Sequence, residues 1–188
     1  MMKKLQTGIY SHYKGKKYEV LGVAKHSETL EPMALYKAMY DSTEFGPNAL
    51  WVRPIELFLE KINVGGGKEQ PRFEFIEFVS EQLLFISSHT KRIINLDINQ
   101  LQTGIYRHYK GKEYEVFDVV KHSETLEPMV LYKALYDSTE FGPNALWVRP
   151  LRLFLENVNV DDKEQPRFEY VSEKLTTSSK INLKIGGP

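Results

Sequence analysis

Residues 5–60 and 101–156 of this 188-residue chain align without a gap and differ at only nine positions. Whatever unit the first copy builds, the second must build again, so the fold is read once and doubled. The differing pairs are Ser11/Arg107, Lys17/Glu113, Leu21/Phe117, Gly22/Asp118, Ala24/Val120, Ala34/Val130, Met39/Leu135, Ile55/Leu151 and Glu56/Arg152. Five of these exchange one apolar residue for another, as core positions tolerate. Past a one-residue slip at Gly65–Gly67 against Asp161-Asp162, Lys68–Glu74 returns as Lys163–Glu169.

The similarity continues beyond the units. Val79-Ser80-Glu81-Gln82-Leu83 corresponds to Val171-Ser172-Glu173-Lys174-Leu175, and Ile94–Ile98 to Ile181–Ile185. The organisation read from this is a first unit over 1–78, an inter-repeat segment over 79–100, a second unit over 101–172 and a tail over 173–188. The segment and the tail are expected to pack back on their units as a strand or short helix; the alternative is a floppy tail copied with the duplication. Two units of roughly 70–95 residues fit small domains better than a solenoid, which needs three or more short repeats. Near-identical neighbours are also candidates for strand exchange and self-association.

Twenty-five basic residues balance 25 acidic ones. That removes net charge as a reason to bind nucleic acid or a membrane surface. Hydrophobic residues make up 41% and aromatic ones 12%, enough for packed cores. The absence of cysteine excludes disulfides and thiolate metal sites. No apolar run follows Met1-Met2-Lys3-Lys4 and none reaches membrane-spanning length, so a soluble, cytoplasmic protein is expected.

Within one unit, Thr7–Tyr13 alternates and is rich in β-formers, and Gly15 in Lys14-Gly15-Lys16 suits a tight hairpin turn. Lys17–Ala24 reads as the return strand, with a bulge at Gly22. His26–Glu31 has no period and ends at Pro32, which marks a loop. Met33–Tyr40 reads as a strand between turn signals, and Leu50–Arg53 as a short one ending at Pro54. After that proline, Leu57, Phe58 and Lys61 stand at helical spacing, and Arg72–Ile76 is the last strand. The fold class is mainly β with some α: two tandem small SH3-like, strongly bent β-barrels, each with a short helical turn after the Trp-Val-Arg-Pro strand.

Several less common residues recur in a fixed order: Gly8-x-Tyr10-x-His12-Tyr13-Lys14-Gly15-x-x-Tyr18, Lys25-His26-Ser27-Glu28-Thr29-x-Glu31, Tyr36, Tyr40, Leu50-Trp51-Val52-Arg53-Pro54, Phe58 and Pro71-Arg72-Phe73. In this order they resemble the bacterial family known as domain of unknown function 1653, over residues 7–73 and again 103–168. The resemblance implies a small β domain, usually present in one copy, and brings no established activity.

Three kinds of chemistry are open to these residues. For catalysis, His26 beside Ser27 suggests a base and nucleophile, but neighbours on an extended chain point to opposite faces. Glu28 and Glu31 could form an acid–base pair only if one were desolvated. No nucleophile elbow, phosphate loop or dinucleotide glycine pattern is present, so an uncharacterised hydrolase stands only as a third reading. For metal, two imidazoles per unit without an acidic cluster fall short of a ligand set, and no cofactor is implied.

Ligand binding is the most economical reading. Trp51 with Arg53, and Trp147 with Arg149, put a flat ring and a guanidinium two residues apart on one strand face, suited to stacking a planar group and gripping an anion. His26, Glu28, Thr29 and Glu31, with His122, Glu124, Thr125 and Glu127, supply polar loops, and His12, Tyr36, His108 and Tyr132 could line the sites. The expectation is a non-catalytic protein with two equivalent sites for a small anionic or nucleotide-like ligand. The alternative is an interaction module for a peptide or single-stranded nucleic acid. A structural reading also stands beside it: the tryptophan as a core plug, and Arg53 pinning its loop through Glu28 or Glu31.

Overall fold

The computed structural model describes residues 5–79 and 101–173. The proposed packing of the 79–100 segment and the 173–188 tail therefore falls almost wholly outside the described residues.

Repeat 1 contains β1 (Gly8–His12), β2 (Lys17–His26), β3 (Pro32–Ala38), β4 (Asp41–Ser42), β5 (Gly46–Pro47) and β6 (Leu50–Pro54). It continues with α1 (Ile55–Leu59), β7 (Lys61–Asn63), β8 (Glu69–Pro71) and β9 (Phe73–Glu77). Repeat 2 follows the same plan through β10 (Gly104–His108), β11 (Glu113–His122), β12 (Pro128–Ala134), β13 (Asp137–Ser138), β14 (Gly142–Pro143) and β15 (Leu146–Pro150). Its remaining elements are α2 (Leu151–Leu155), β16 (Asn157–Val160), β17 (Lys163–Pro166) and β18 (Phe168–Ser172). The expected strands and the helical turn after Trp-Val-Arg-Pro are all present. The small ribbons β4–β5 and β7–β8, with their counterparts, were not foreseen.

Local chemistry accounts for the elements. The β1–β2 hairpin turns at Gly15, whose φ of 85° is natural only to glycine; Gly15 N–H donates to the His12 carbonyl at 2.7 Å. The bulge expected near Gly22 is real: the β2–β3 register shifts between Val20 and Gly22, and β11–β12 shifts at the matching place. Pro54, with φ −47°, ends β6 and delivers the chain into α1 without donating a ladder hydrogen bond.

Closure of the sheet departs from the expectation of one barrel per unit. β2 pairs β3, β3 pairs β6, β6 pairs β11, β11 pairs β12, β12 pairs β15, and β15 returns to β2. The six strands form one ring, three from each repeat. Within a repeat the ladders are antiparallel; the two joints between repeats are parallel and short, Trp51↔Lys121 with Val52↔His122, and Trp147↔Lys25 with Val148↔His26. A single repeat supplies only three of these strands, too few to close a barrel around a filled interior.

The ring interior holds Leu21, Ala24, Met33, Leu35 and Val52 from repeat 1, and Val120, Met129, Leu131 and Val148 from repeat 2, all buried, with Phe117 packed against them. Each repeat also has an outer core. In repeat 1, Tyr10, Val20, Ala34, Tyr36, Phe58 and Phe73 pack where β1, β9 and α1 fold over the ring. The Phe58 and Phe73 rings there stack at 4.1 Å, as do Phe154 and Phe168. Of the five apolar exchanges between the copies, four lie in or against these cores; Met39 and Leu135 are exposed instead, at 47% and 41%.

Candidate functional site

The two stretches of the repeated phrase meet in trans. Ser123 N–H, in the turn after β11, donates to the Val52 carbonyl at 2.8 Å, and Ser27 N–H donates to the Val148 carbonyl at 2.9 Å. Arg53 Nη1 lies 2.8 Å from Glu124 Oε1, and Arg149 Nη2 lies 3.0 Å from Glu28 Oε1. The arginine thus clamps the loop of the other copy, not its own loop through Glu28 or Glu31 as the sequence alone suggests for Arg53. Both arginines are 8% exposed. Removal of either would strand a carboxylate beside a desolvated gap.

Aromatic residues extend this seam. Phe45 packs edge-on against Trp51 at 4.9 Å and lies 5.1 Å from the Lys121 ammonium; Phe141, Trp147 and Lys25 repeat the arrangement with 4.9 Å for the cation. Trp51 and Arg53 share a face, as strand alternation requires, together with Tyr36 on β3. That face carries the outer core. Burial pushes the Tyr36 hydroxyl up to about 12, against the opposing influence of Ser123 and Arg53, and Tyr132 is in the same position with Arg149 and Ser27. Trp51 Nε1, Trp147 Nε1 and Arg53 Nε are buried without a hydrogen-bond partner among the described residues.

The polar loop organises itself. His26 Nδ1 accepts from Glu28 N–H at 3.2 Å and Thr29 N–H at 3.4 Å, and Thr29 Oγ1 accepts from Glu31 N–H at 3.3 Å. His122, Thr125 and Glu127 do the same in repeat 2. Burial holds His122 below the usual histidine range, against the pull of Glu124. These histidines thus hold the turn that offers Glu28 and Glu124 to the arginines. No group of three or more ligating side chains suited to a metal ion occurs among the described residues.

A second locus emerges that the sequence did not single out. Tyr13, Ile62, Asn63, Val64, Gln70 and Arg72 line an open groove of ≈ 660 Å³ beneath the β7–β8 ribbon. Tyr13 N–H donates to the Arg72 carbonyl at 3.0 Å, and Arg72 pairs with Glu60. The His12 ring packs at a tilt against Tyr13 at 4.4 Å and Phe73 at 4.8 Å. Burial lowers the His12 pKa to about 4, helped by the cations Arg72, Lys14 and Arg53. A 38% exposed tyrosine ring beside an arginine is therefore present, on different residues from Trp51 and Arg53. Repeat 2 carries Tyr109, Val158, Asn159, Val160, Gln165 and Arg167 at the matching positions, with the Arg167 guanidinium 6.0 Å from the Tyr109 ring. The signal that could have found this locus was the return of Tyr13, Gln70 and Arg72 across the slip at Gly65–Gly67.

Fold and seam together define a mainly β tandem-repeat protein whose halves are interlocked. No helix among the described residues is long and apolar enough to cross a membrane. The chain belongs to the family described as protein of unknown function (DUF1653), whose model matches residues 8–75 and again 104–170. A crystal structure of a protein of that family from Bordetella bronchiseptica is 33% identical over 42% of this chain and 97% of the other, with a TM-score of 0.38. No curated protein matches the chain.

Proposed function

We propose that this is a non-catalytic binding protein whose two repeats each take a small anionic ligand carrying a planar group, of nucleotide-like chemistry, in the groove between Tyr13 and the β7–β8 ribbon and in its counterpart at Tyr109. The groove of ≈ 660 Å³ carries the reading, because it combines what such a ligand needs. The tyrosine ring offers a stacking plane, Arg72, already paired with Glu60, offers the rest of its guanidinium edge, and Asn63 and Gln70 offer amides that can both donate and accept. Lys14, whose ammonium lies 5.6 Å from the Tyr13 ring, adds positive charge at the rim. Arg53 and Arg149 support binding from behind in this reading, since they are buried in the seam and held there by Glu124 and Glu28, whereas Arg72 and Arg167 keep more exposure.

Native mass spectrometry of protein purified from cells tests this directly. Retained small molecules, up to two per chain, are expected, and a nucleotide panel should raise Tm in proportion to affinity. Tyr13→Ala with Tyr109→Ala should reduce affinity by about tenfold or more with little loss of stability. Unchanged affinity in that variant, or the absence of both a retained molecule and any Tm shift, overturns the reading.

A further inference from the structure

Every docking residue at the two joints is the same in both copies. Lys25, His26, Ser27, Glu28, Trp51, Val52 and Arg53 meet Trp147, Val148, Arg149, Lys121, His122, Ser123 and Glu124 through matching hydrogen bonds and ion pairs. Judged by the joints alone, repeat 1 fits another repeat 1 as well as it fits repeat 2. Like-with-like pairing between molecules would join two chains through both halves, or run on from chain to chain, in place of the closed single chain. Something other than the seam must choose the partner.

The ring interior does so. Met33, Leu35 and Val52 recur as Met129, Leu131 and Val148, but Leu21 is replaced by Phe117 and Ala24 by Val120. Both changes run the same way, small in repeat 1 and large in repeat 2. Ala24 and Val120 are fully buried, Leu21 is 4% exposed and Phe117 is partly buried against the same cluster, so the interior registers their volumes. Pairing repeat 1 with repeat 2 puts the small pair and the large one into one shared cluster. Two copies of repeat 1 would leave a void, and two copies of repeat 2 would overfill the ring.

We propose that this size match makes the half-barrel of repeat 1 an interaction surface selective for repeat 2, of the same chain or of a second copy exchanging halves with it. The barrel interior thereby suppresses the like-with-like pairing that the identical seams permit.

The test uses the full chain in four forms: wild type; Phe117→Leu with Val120→Ala; Leu21→Phe with Ala24→Val; and all four substitutions together, which reverses the sizes. The two equalised forms should each lose about 5–10 °C in Tm, and the reversed form should regain most of both losses. Additive losses in the reversed form overturn the proposal. Partner choice is read separately by inserting a protease site within 80–100, cutting the folded chain and following the halves by native mass spectrometry. Wild type and the reversed form should hold the unlike pair, and the equalised forms should drift to the statistical mixture. A statistical mixture in wild type also overturns it; if the cut halves separate, the Tm cycle decides.

Discussion

The two repeats carry the same seam and differ around it. Repeat 1 has Gly22 at the bulge, a triple-glycine ribbon tip and the smaller interior residues; repeat 2 has Asp118, Asp161-Asp162 and the larger ones. Residues at the two joints leave little freedom, because each must fit a partner carrying the same phrase. Away from the joints the copies diverge, at the bulge and ribbon tip within one repeat and at Leu21/Phe117 and Ala24/Val120 in the interior that both repeats fill. The comparison therefore separates the symmetric joints from the positions where the halves are unlike.

The largest effect should come from breaking the symmetric part. Arg53→Ala and Arg149→Ala should each cost about 2–3 kcal/mol in urea unfolding, below the cost for a fully buried pair because Glu124 and Glu28 keep some exposure. The two values should agree closely. A large mismatch would show that one joint is dispensable.

Next comes the bulge. Burial raises Asp118 from 3.8 to about 6, partly offset by its acceptance of Val119 N–H. An acid raised in the folded state is penalised once ionised, so stability falls as pH rises from 3.8 through about 6. Asp118→Asn should therefore stabilise by about 1–2 kcal/mol above pH 6 and by nothing below pH 4, whereas Gly22→Asn should show no such pH dependence. Equal pH profiles for the two substitutions would show that the asymmetry is not electrostatic.

A smaller gain is expected at the ribbon tips. Asp161 and Asp162 both sit at positive φ, 51° and 60°, in a two-residue turn better served by glycine or asparagine. Asp162→Gly should add about 0.5–1 kcal/mol, measured by thermal unfolding, bringing repeat 2 nearer to repeat 1. The smallest effect should be shared by both halves. Burial lowers His12 and His108 to about 4, so the unfolded chain takes up protons first and stability declines as pH falls from 6.5 towards 4. His12→Gln with His108→Gln should flatten that part of the Tm profile.

Much of the fold was legible because periodicity and turn residues act locally. The Gly15 hairpin, the bulge at Gly22 and the helix after Pro54 each follow from a few neighbouring side chains. Ring closure was not legible, because it joins Lys25 to Trp147 and Trp51 to Lys121, and alternation cannot say which distant strand is a partner. The candidate site failed to show for a related reason. Trp51 and Arg53 look like a ligand grip in isolation, and only the far copy reveals that Glu124 already holds the arginine. Tyr13 and Arg72 come together because β9 returns beside β1, a contact with no signature in either stretch alone.

Closing the ring across repeats has a consequence for synthesis. β2 emerges from the ribosome early, yet its partner β15 is about 120 residues behind it, on the order of 6–25 seconds at ordinary elongation rates. Until repeat 2 has emerged, Met33, Leu35 and Val52 lack the half-ring that covers them in the finished protein. Slow codons or scarce chaperones should therefore harm the nascent protein far more than they harm its finished form.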